Sequence, residues 1–124
     1  MPKTRVAVLI SGRGSNMAAL IAAATAVDYP AQIALVVSNR PDAAGLGVAN
    51  AEGVPTLVVD HRAHGADRAA FESALAAALD AHRIALVCLA GFMRLFTAEF
   101  TRAWYGRLLN IHPSLLPALP GQAA

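Results

Sequence analysis

Five short apolar runs alternate with longer alanine-rich segments, and this alternation constrains the fold more than any other feature of the sequence. The runs are continuously apolar, which is typical of strands that helices cover on both faces. Strand and helix segments that alternate in this way form right-handed βαβ units. We therefore predict an α/β fold, a Rossmann-like open parallel sheet with helices on both faces. The predicted strands are Arg5–Ile10, Gln32–Ser38, Thr56–Val59, Leu86–Ala90 and Leu108–Ile111, and the predicted helices are Asn16–Ala26, Ala44–Glu52, Asp67–Ala81 and Thr97–Tyr105.

Length, charge and cysteine content narrow the class of protein. The 124 residues fit one compact domain, and no apolar run reaches the roughly 18 residues that a membrane-spanning helix needs. The net charge is only +2 and the basic residues are scattered, which disfavours nucleic-acid binding and suits a small anionic substrate. The first apolar run is too short for a signal peptide, so we expect a cytoplasmic protein. The single cysteine, Cys88, is predicted to be a small buried hydrophobe.

Local signals predict where several helices begin and end. Asp42 is expected to cap the second helix, and Gly53 with Pro55 is expected to end it. Thr97 is expected to begin the last helix.

A glycine-rich loop, Ser11–Asn16, joins the first predicted strand to the first predicted helix. Glycines permit close approach of the backbone to a ligand, and the free N–H groups of a helix N-terminus attract anions. The dinucleotide fingerprint requires a third glycine where Met17 stands, and the Gly-Lys-Ser of a P-loop is absent. Two interpretations stay open: a phosphate or phosphoribosyl site to which Ser15 and Asn16 add side-chain donors, or a tight turn without a ligand.

Asn110 and His112 end the last predicted strand, just before a proline-rich turn. Ligands of open parallel sheets bind beyond the carboxyl ends of the strands, and alternate residues of a strand share a face. An amide donor beside an imidazole suits acyl transfer, because the amide stabilises an oxyanion and the imidazole moves a proton or holds charge. The alternative for His112 is a hydrogen-bonded histidine of a turn.

The segment Phe92–Phe96 follows the fourth predicted strand and is therefore at the same edge of the sheet. Its aromatic and apolar side chains suit a slot for a flat heterocycle. The alternative is that Met93 and Phe96 belong to the core.

Three further histidines have structural interpretations. His61, His64 and His82 fall in a predicted loop or on a helix surface. No cysteine or second histidine pair supports a zinc site at His61 and His64, so no metal is expected.

Four segments of the chain resemble the phosphoribosylglycinamide formyltransferases, and the resemblance extends to about Gly121. The Asn-Ile-His-Pro-Ser-Leu-Leu-Pro string is shared across folate-dependent formyltransferases, and the Ser-Gly-x-Gly-Ser-Asn loop narrows it to the glycinamide ribonucleotide branch. Formyltetrahydrofolate deformylases are also similar but carry an additional N-terminal regulatory domain. The four segments are Val6–Asn16, Val37–Arg40, Leu89–Arg94 and Leu108–Pro117.

The resemblance implies transfer of a formyl group from 10-formyltetrahydrofolate to the amine of 5-phosphoribosylglycinamide in purine (IMP) biosynthesis, without a metal. It implies that Asn110 and protonated His112 are catalytic and stabilise the oxyanion of the tetrahedral intermediate. The residues implied to hold the substrate phosphate are Gly14, Ser15 and Asn16. The residues implied to bind the folate are Arg68, Met93, Arg94, Leu95, Phe96 and Asn110.

The sequence departs from the family in one respect. Family members continue further and supply an aspartate partner for the histidine, whereas no Asp or Glu follows Glu99 here. We therefore expect residues 1–124 to be a single N-terminal nucleotide-binding domain, truncated relative to the family, with weak or absent catalysis alone. An exposed sheet edge is expected to favour self-association. The alternatives are a noncatalytic phosphate-binding fragment, another folate-dependent formyltransferase, or a formyltetrahydrofolate hydrolase.

Overall fold

A computed structural model describes residues 3–60, 67–92 and 96–111 and contains one five-stranded sheet. In chain order the elements are β1 (Thr4–Ile10), α1 (Ser15–Ala24), β2 (Ala31–Ser38), α2 (Ala44–Ala51), β3 (Thr56–Val58), α3 (Arg68–Ala81), β4 (Leu86–Ala90), α4 (Ala98–Ala103) and β5 (Leu108–Ile111). The strands pair in the order β3-β2-β1-β4-β5, and every pair is parallel. The predicted Rossmann-like α/β fold is thus confirmed, with each predicted element within two residues of its bounds.

The order of the strands reverses beside β1. The chain runs outward from β1 to β2 and β3, then returns across the sheet to β4 and β5 on the other side of β1. The switch point between β1 and β4 opens a crevice beyond the carboxyl ends of these strands, and ligands of open α/β sheets bind in such crevices. The topology therefore indicates where a functional site belongs.

Two apolar clusters cover the two faces of the sheet. On one face, Val8 and Ile10 of β1 pack with Met17 of α1 and with residues of α2. On the other face, Leu9 packs with Leu75 of α3 and with residues of α4. We call these the α1/α2 face and the α3/α4 face. Because successive strand residues point to opposite faces and both faces are covered, the strand is apolar throughout rather than alternating.

The bounds of α2 agree with the prediction to within one residue, but its N-cap does not. Gly53, with a φ of 77°, follows the end of the helix as predicted. The prediction that Asp42 is the N-cap of this helix is wrong, because the N-cap residue is Ala43, which makes no side-chain capping hydrogen bond. The Asp42 carboxylate instead pairs with Arg40, whose Nη2 lies 3.2 Å from Oδ2.

The helices of the described ranges are short. The longest of them, α3, has 14 residues, whereas a membrane-spanning helix needs about 20. Within those ranges, no helix is long and apolar enough to cross a membrane.

Cys88 lies in β4 on the α1/α2 face and is buried. Burial raises the pKa of its thiol above the ordinary value, because desolvation disfavours the thiolate. Its predicted role as a small buried hydrophobe is confirmed.

Candidate functional site

A cleft of about 210 Å³ lies at the switch point between β1 and β4. One water molecule needs only about 10–15 Å³ of such space, so the cleft has room for a larger group such as a phosphate. Its walls come from the loop after β1 and from the end of β4, namely Gly12, Arg13, Gly14, Ser15, Asn16, Ala90 and Gly91. All three residues predicted to hold a phosphate thus line one cleft, at the position that the topology favours.

Gly14 gives the loop its shape. It is the N-cap of α1, with φ 72° and ψ 32°, in the left-handed region that glycine adopts readily. A Cβ at this position would lie 2.7 Å from Met17 Cε, the end of a flexible side chain that can move, so the left-handed backbone conformation is what favours glycine here. As a glycine, this N-cap has no side chain to cap α1, and the helical hydrogen bonding begins with Ala18 N donating to Gly14 O at 2.8 Å. The N–H groups of the first turn therefore have no helical acceptors, and two of its residues, Ser15 and Asn16, line the cleft, an arrangement that suits an anion.

A buried polar pair fixes the start of the loop. Ser11 Oγ donates a hydrogen bond to Asn39 Oδ1 at 2.6 Å, and both residues are buried. Asn39 N lies 3.4 Å from Ile10 O, to which it donates. These bonds tie the carboxyl end of β1 to that of β2, so the loop leaves the sheet from a fixed point.

Asn110 lies at the same edge of the sheet as the glycine loop. In the parallel register Leu9 pairs with Leu89, and Leu89 pairs with Asn110, so the three residues form one row across β1, β4 and β5. Adjacent strands are spaced about 4.8 Å apart, which puts Asn110 about 10 Å from Leu9. Asn110 is exposed and shares the α3/α4 face with Leu108. His112 lies outside the described ranges, so its catalytic role stays a prediction.

Stacked aromatic rings line the α3/α4 face beyond β4. Ring centroids are 6.4 Å apart for Phe71 and Phe92, 5.6 Å for Phe92 and Phe96, and 4.5 Å for Phe96 and Phe100. Phe92 and Phe96 are half-buried and pack against the core, as the core interpretation of Phe96 expects, and the slot interpretation stays a prediction. The other residues predicted to line the folate slot, Met93, Arg94 and Leu95, fall outside the described part of the chain.

Arg68 begins α3 and is exposed. It precedes Phe71 by three residues, so the two share one side of the helix. Because Phe71 stacks on Phe92, the first turn of α3 lies beside the segment that was predicted to bind folate. The side chain of Asp67 caps this turn by accepting a hydrogen bond from Ala70 N at 2.9 Å.

Glu72 is a buried carboxylate that the sequence analysis did not single out. Its Oε2 accepts a hydrogen bond from Thr97 N at 2.7 Å, and its Oε1 accepts one from Thr97 Oγ1 at 2.5 Å. Thr97 Oγ1 in turn accepts from Phe100 N at 3.2 Å, which confirms the predicted start of α4. Glu72 therefore joins α3 to the residue that follows Phe96. The sequence did carry a signal for the burial of Glu72. It precedes Leu75 by three residues and Leu79 by seven, so it lies on the apolar stripe of α3.

Arg13, Ala90 and Gly91 also line the cleft, although the sequence analysis did not assign them to the phosphate site. The pattern of strands placed Gly91 at the end of β4 but did not reveal that β4 adjoins β1. These residues could be assigned to the cleft only once the order of the strands in the sheet was known.

The remaining histidines agree with a structural interpretation as far as they are described. His82 Nδ1 lies 3.0 Å from Ala78 O, where α3 ends. His61 and His64 are not among the described residues. Across residues 3–60, 67–92 and 96–111, no three His, Cys, Asp or Glu side chains converge on a possible metal position.

An open parallel sheet with a glycine loop and a helix N-terminus at its switch point defines the class of α/β proteins that bind phosphorylated small molecules or nucleotides. Within that class, the chain belongs to the formyl transferase family, whose model matches residues 4–124.

Several proteins of known function or structure are similar to the chain. It is 48 % identical to a trifunctional purine biosynthetic protein of Homo sapiens over 98 % of its length and 12 % of that protein's length. It is 40 % identical to the phosphoribosylglycinamide formyltransferase of Haemophilus influenzae over 94 % of its length and 55 % of that enzyme's length. The crystal structure of the phosphoribosylglycinamide formyltransferase of Brucella melitensis aligns with a TM-score of 0.86 and 48 % identity, covering 97 % of this chain and 62 % of that one.

The chain thus spans just over half the length of the bacterial formyltransferases that it matches and about a tenth of the trifunctional animal proteins.

Proposed function

We propose that the protein takes part in transferring a formyl group from 10-formyltetrahydrofolate to the amine of 5-phosphoribosylglycinamide, a step of purine (IMP) biosynthesis. One observation carries the proposal: a glycine-loop anion site and the end of the strand bearing Asn110 lie at a single edge of the sheet. The names of the similar proteins, phosphoribosylglycinamide formyltransferase and trifunctional purine biosynthetic protein, support the same reaction.

The phosphate of 5-phosphoribosylglycinamide binds in the cleft at Gly14, Ser15 and Asn16 in this proposal. Backbone N–H groups at the start of α1 donate to the phosphate oxygens, and the partial positive charge of the helix N-terminus favours the dianion. Arg13 adds a full positive charge at the wall of the cleft. The ribose and the glycinamide then extend from the loop toward β4 and β5.

The described residues fit a folate at the other end of the site. The half-buried rings of Phe92 and Phe96 form an apolar floor on the α3/α4 face, which suits a flat heterocycle. Arg68, on the adjacent turn of α3, has the charge that suits the carboxylates of the glutamate tail. Met93, Arg94 and Leu95 complete this site in the proposal, and the folate supplies the formyl group.

Asn110 and His112 carry out the chemistry in the proposal. The substrate amine attacks the formyl carbon, and the carbonyl oxygen becomes an oxyanion. The Asn110 amide donates a hydrogen bond to that oxyanion, and protonated His112 balances its charge. The C–N bond to the folate then breaks, the formyl group stays on the substrate nitrogen, and a proton from that nitrogen passes to the folate nitrogen.

Formyl transfer and phosphoribosylglycinamide binding by the chain test the proposal together. We expect His112→Ala and Asn110→Ala each to lower turnover by about 100- to 1000-fold, the usual cost of losing one oxyanion donor, with little change in substrate affinity. His82→Ala is the matched control, because His82 lies where α3 ends and contacts Ala78 O.

The outcomes separate the proposed functions. Turnover that survives His112→Ala contradicts the catalytic role of His112. Substrate binding by the wild-type chain without any formyl transfer favours the noncatalytic phosphate-binding alternative. Failure to bind phosphoribosylglycinamide or phosphate contradicts both.

Two less specific properties belong to the same proposal. The reaction uses soluble small molecules, and the lack of an apolar run long enough for a membrane-spanning helix supports a cytoplasmic location. The Leu109 side chain is 47 % exposed on β5, one of the two outer strands of the described sheet, which supports self-association through this edge.

A further inference from the structure

Gly45, in the first turn of α2, contacts the backbone of the glycine loop. Gly45 is a buried residue of α2, and its N–H donates a hydrogen bond to Gly12 O at 3.0 Å. The contact is with the backbone of the loop whose residues Gly12 and Arg13 line the cleft. No residue of α2 lines the cleft itself.

Space for a side chain is absent at Gly45. A Cβ there would lie 3.0 Å from Arg13 O, 3.1 Å from Gly12 O and 2.6 Å from Ile10 Cδ1. The Ile10 atom is the end of a side chain that can rotate, whereas the two oxygens belong to the loop backbone. The loop backbone must therefore shift to admit even a methyl group.

Those two carbonyl groups are coupled to the cleft through rigid peptide planes. The peptide that carries Gly12 O also carries the N–H of Arg13, and the peptide that carries Arg13 O also carries the N–H of Gly14. Because a peptide unit moves as a plane, displacing either oxygen also moves an N–H group of a residue that lines the cleft. Contact at Gly45 thus fixes the direction of the N–H groups of Arg13 and Gly14, two residues that line the cleft.

We propose that Gly45 is a positioning residue for the substrate phosphate, acting through the carbonyl groups of Gly12 and Arg13. This inference rests on the proposed function, since it assumes that the cleft binds the phosphate of 5-phosphoribosylglycinamide. Gly45 touches no substrate, and its missing side chain is the property that matters. The described residues of the proposed folate site, Phe92 and Phe96, pack on the α3/α4 face, whereas α2 packs on the other face of the sheet.

Gly45→Ala therefore weakens phosphoribosylglycinamide binding and leaves folate binding unchanged. A misplacement of about 1 Å in a site can cost about 100-fold, so a shift of a few tenths of an ångström is expected to weaken binding by about five- to tenfold. A merely structural role would lower both affinities or neither.

The same helix provides a matched control at Gly47. A Cβ at Gly47 meets nothing within 4 Å, and the residue is exposed. Gly47→Ala makes the same chemical change two residues away, and it removes one glycine from the helix as Gly45→Ala does. The two variants therefore differ in the contact with the loop.

Titration calorimetry with 5-phosphoribosylglycinamide, inorganic phosphate and 10-formyltetrahydrofolate tests the inference on the 124-residue chain. Weakened binding of both phosphate ligands in Gly45→Ala alone supports it. Equal binding by Gly45→Ala and Gly47→Ala overturns the inference and leaves the proposed function intact. Absence of phosphate binding in the wild-type chain overturns the proposed site, and the inference with it.

A second variant controls for the possibility that Gly45→Ala fails to fold. Ile10→Val removes Cδ1, the atom nearest to the added methyl group, and leaves the two carbonyl contacts in place. Gly45→Ala combined with Ile10→Val is therefore expected to fold and still to bind phosphate weakly. Wild-type affinity in this double variant would mean that the effect passed through Ile10, and it would overturn the inference.

Discussion

Replacing Thr97 by valine removes the hydroxyl group at which α3 and α4 meet, with little change in side-chain shape. The hydroxyl makes two hydrogen bonds, donating to the buried Glu72 carboxylate and accepting from Phe100 N. Thr97 N still donates to Glu72 Oε2 in the variant, so one of the two bonds to the carboxylate survives. The substitution therefore tests how strongly this hydroxyl stabilises the fold.

The expected loss has two parts. Removing a helix N-cap costs about 1 kcal/mol in free energy of unfolding, and removing a hydrogen bond to a charged group costs about 1.5–3 kcal/mol. Because Glu72 is only 7 % exposed, water does not replace the lost partner freely. We expect Thr97→Val to lower the free energy of unfolding by about 2.5–4 kcal/mol in total.

A double-mutant cycle, with each variant unfolded in urea, measures the interaction energy between the Glu72 carboxylate and the Thr97 hydroxyl. Glu72→Gln keeps an acceptor for Thr97 N but removes the charge. We expect a coupling energy of about 1–2 kcal/mol between Glu72→Gln and Thr97→Val. Thr101→Val, on an exposed residue one turn later in α4, is the matched control and should change stability by less than about 0.5 kcal/mol.

Two results would refute this reasoning. A loss in Thr97→Val no larger than that in Thr101→Val would mean that the hydroxyl stabilises nothing. Additive effects of Glu72→Gln and Thr97→Val would mean that the carboxylate and the hydroxyl do not interact in solution.

The remaining predictions concern Cys88 and Leu109. Burial raises the pKa of the Cys88 thiol, so the unfolded chain loses this proton at a lower pH than the folded chain does. The contribution of Cys88 to stability is therefore complete below the thiol pKa of the unfolded chain, about 8.5, and is lost as pH rises toward the higher folded-state value. Urea unfolding at several pH values should show a steeper alkaline loss in the wild type than in Cys88→Ala, and equal slopes would contradict the pKa shift. If the β5 edge mediates self-association, Leu109→Lys lowers the mass measured by sedimentation at high concentration, and an unchanged mass would exclude this edge.

Features that depend on neighbours along the chain were predictable from the sequence. The continuous apolar run of β1 indicated a strand covered on both faces, and apolar clusters do pack against both sides of it, with Leu9 on one face and Ile10 on the other. Thr97 was predictable as a helix start because a capping side chain bonds a backbone group only three residues away. The glycine loop was predictable as the connection between β1 and α1 for the same reason.

Features that depend on competition or on distant contacts were not predictable. Asp42 has the right residue type for a cap, but Arg40 pairs with its carboxylate and Ala43 takes the N-cap position. Glu72 bonds a residue of another helix, and Gly45 bonds a loop that precedes its helix by a strand and a helix. No local pattern specifies such pairs, because they depend on how the elements pack.

The central position of β1 has a consequence for the synthesis of the protein. Val6 of β1 pairs with Leu86 of β4, about 80 residues later in the chain. At roughly 5–20 residues per second, a ribosome takes roughly 4–16 s to add that stretch. During this time β2 and β3 can already pair beside β1, while the other side of this apolar strand has no neighbour. The growing chain therefore presents an open strand edge to the cell, and this edge is where a chaperone would best prevent aggregation.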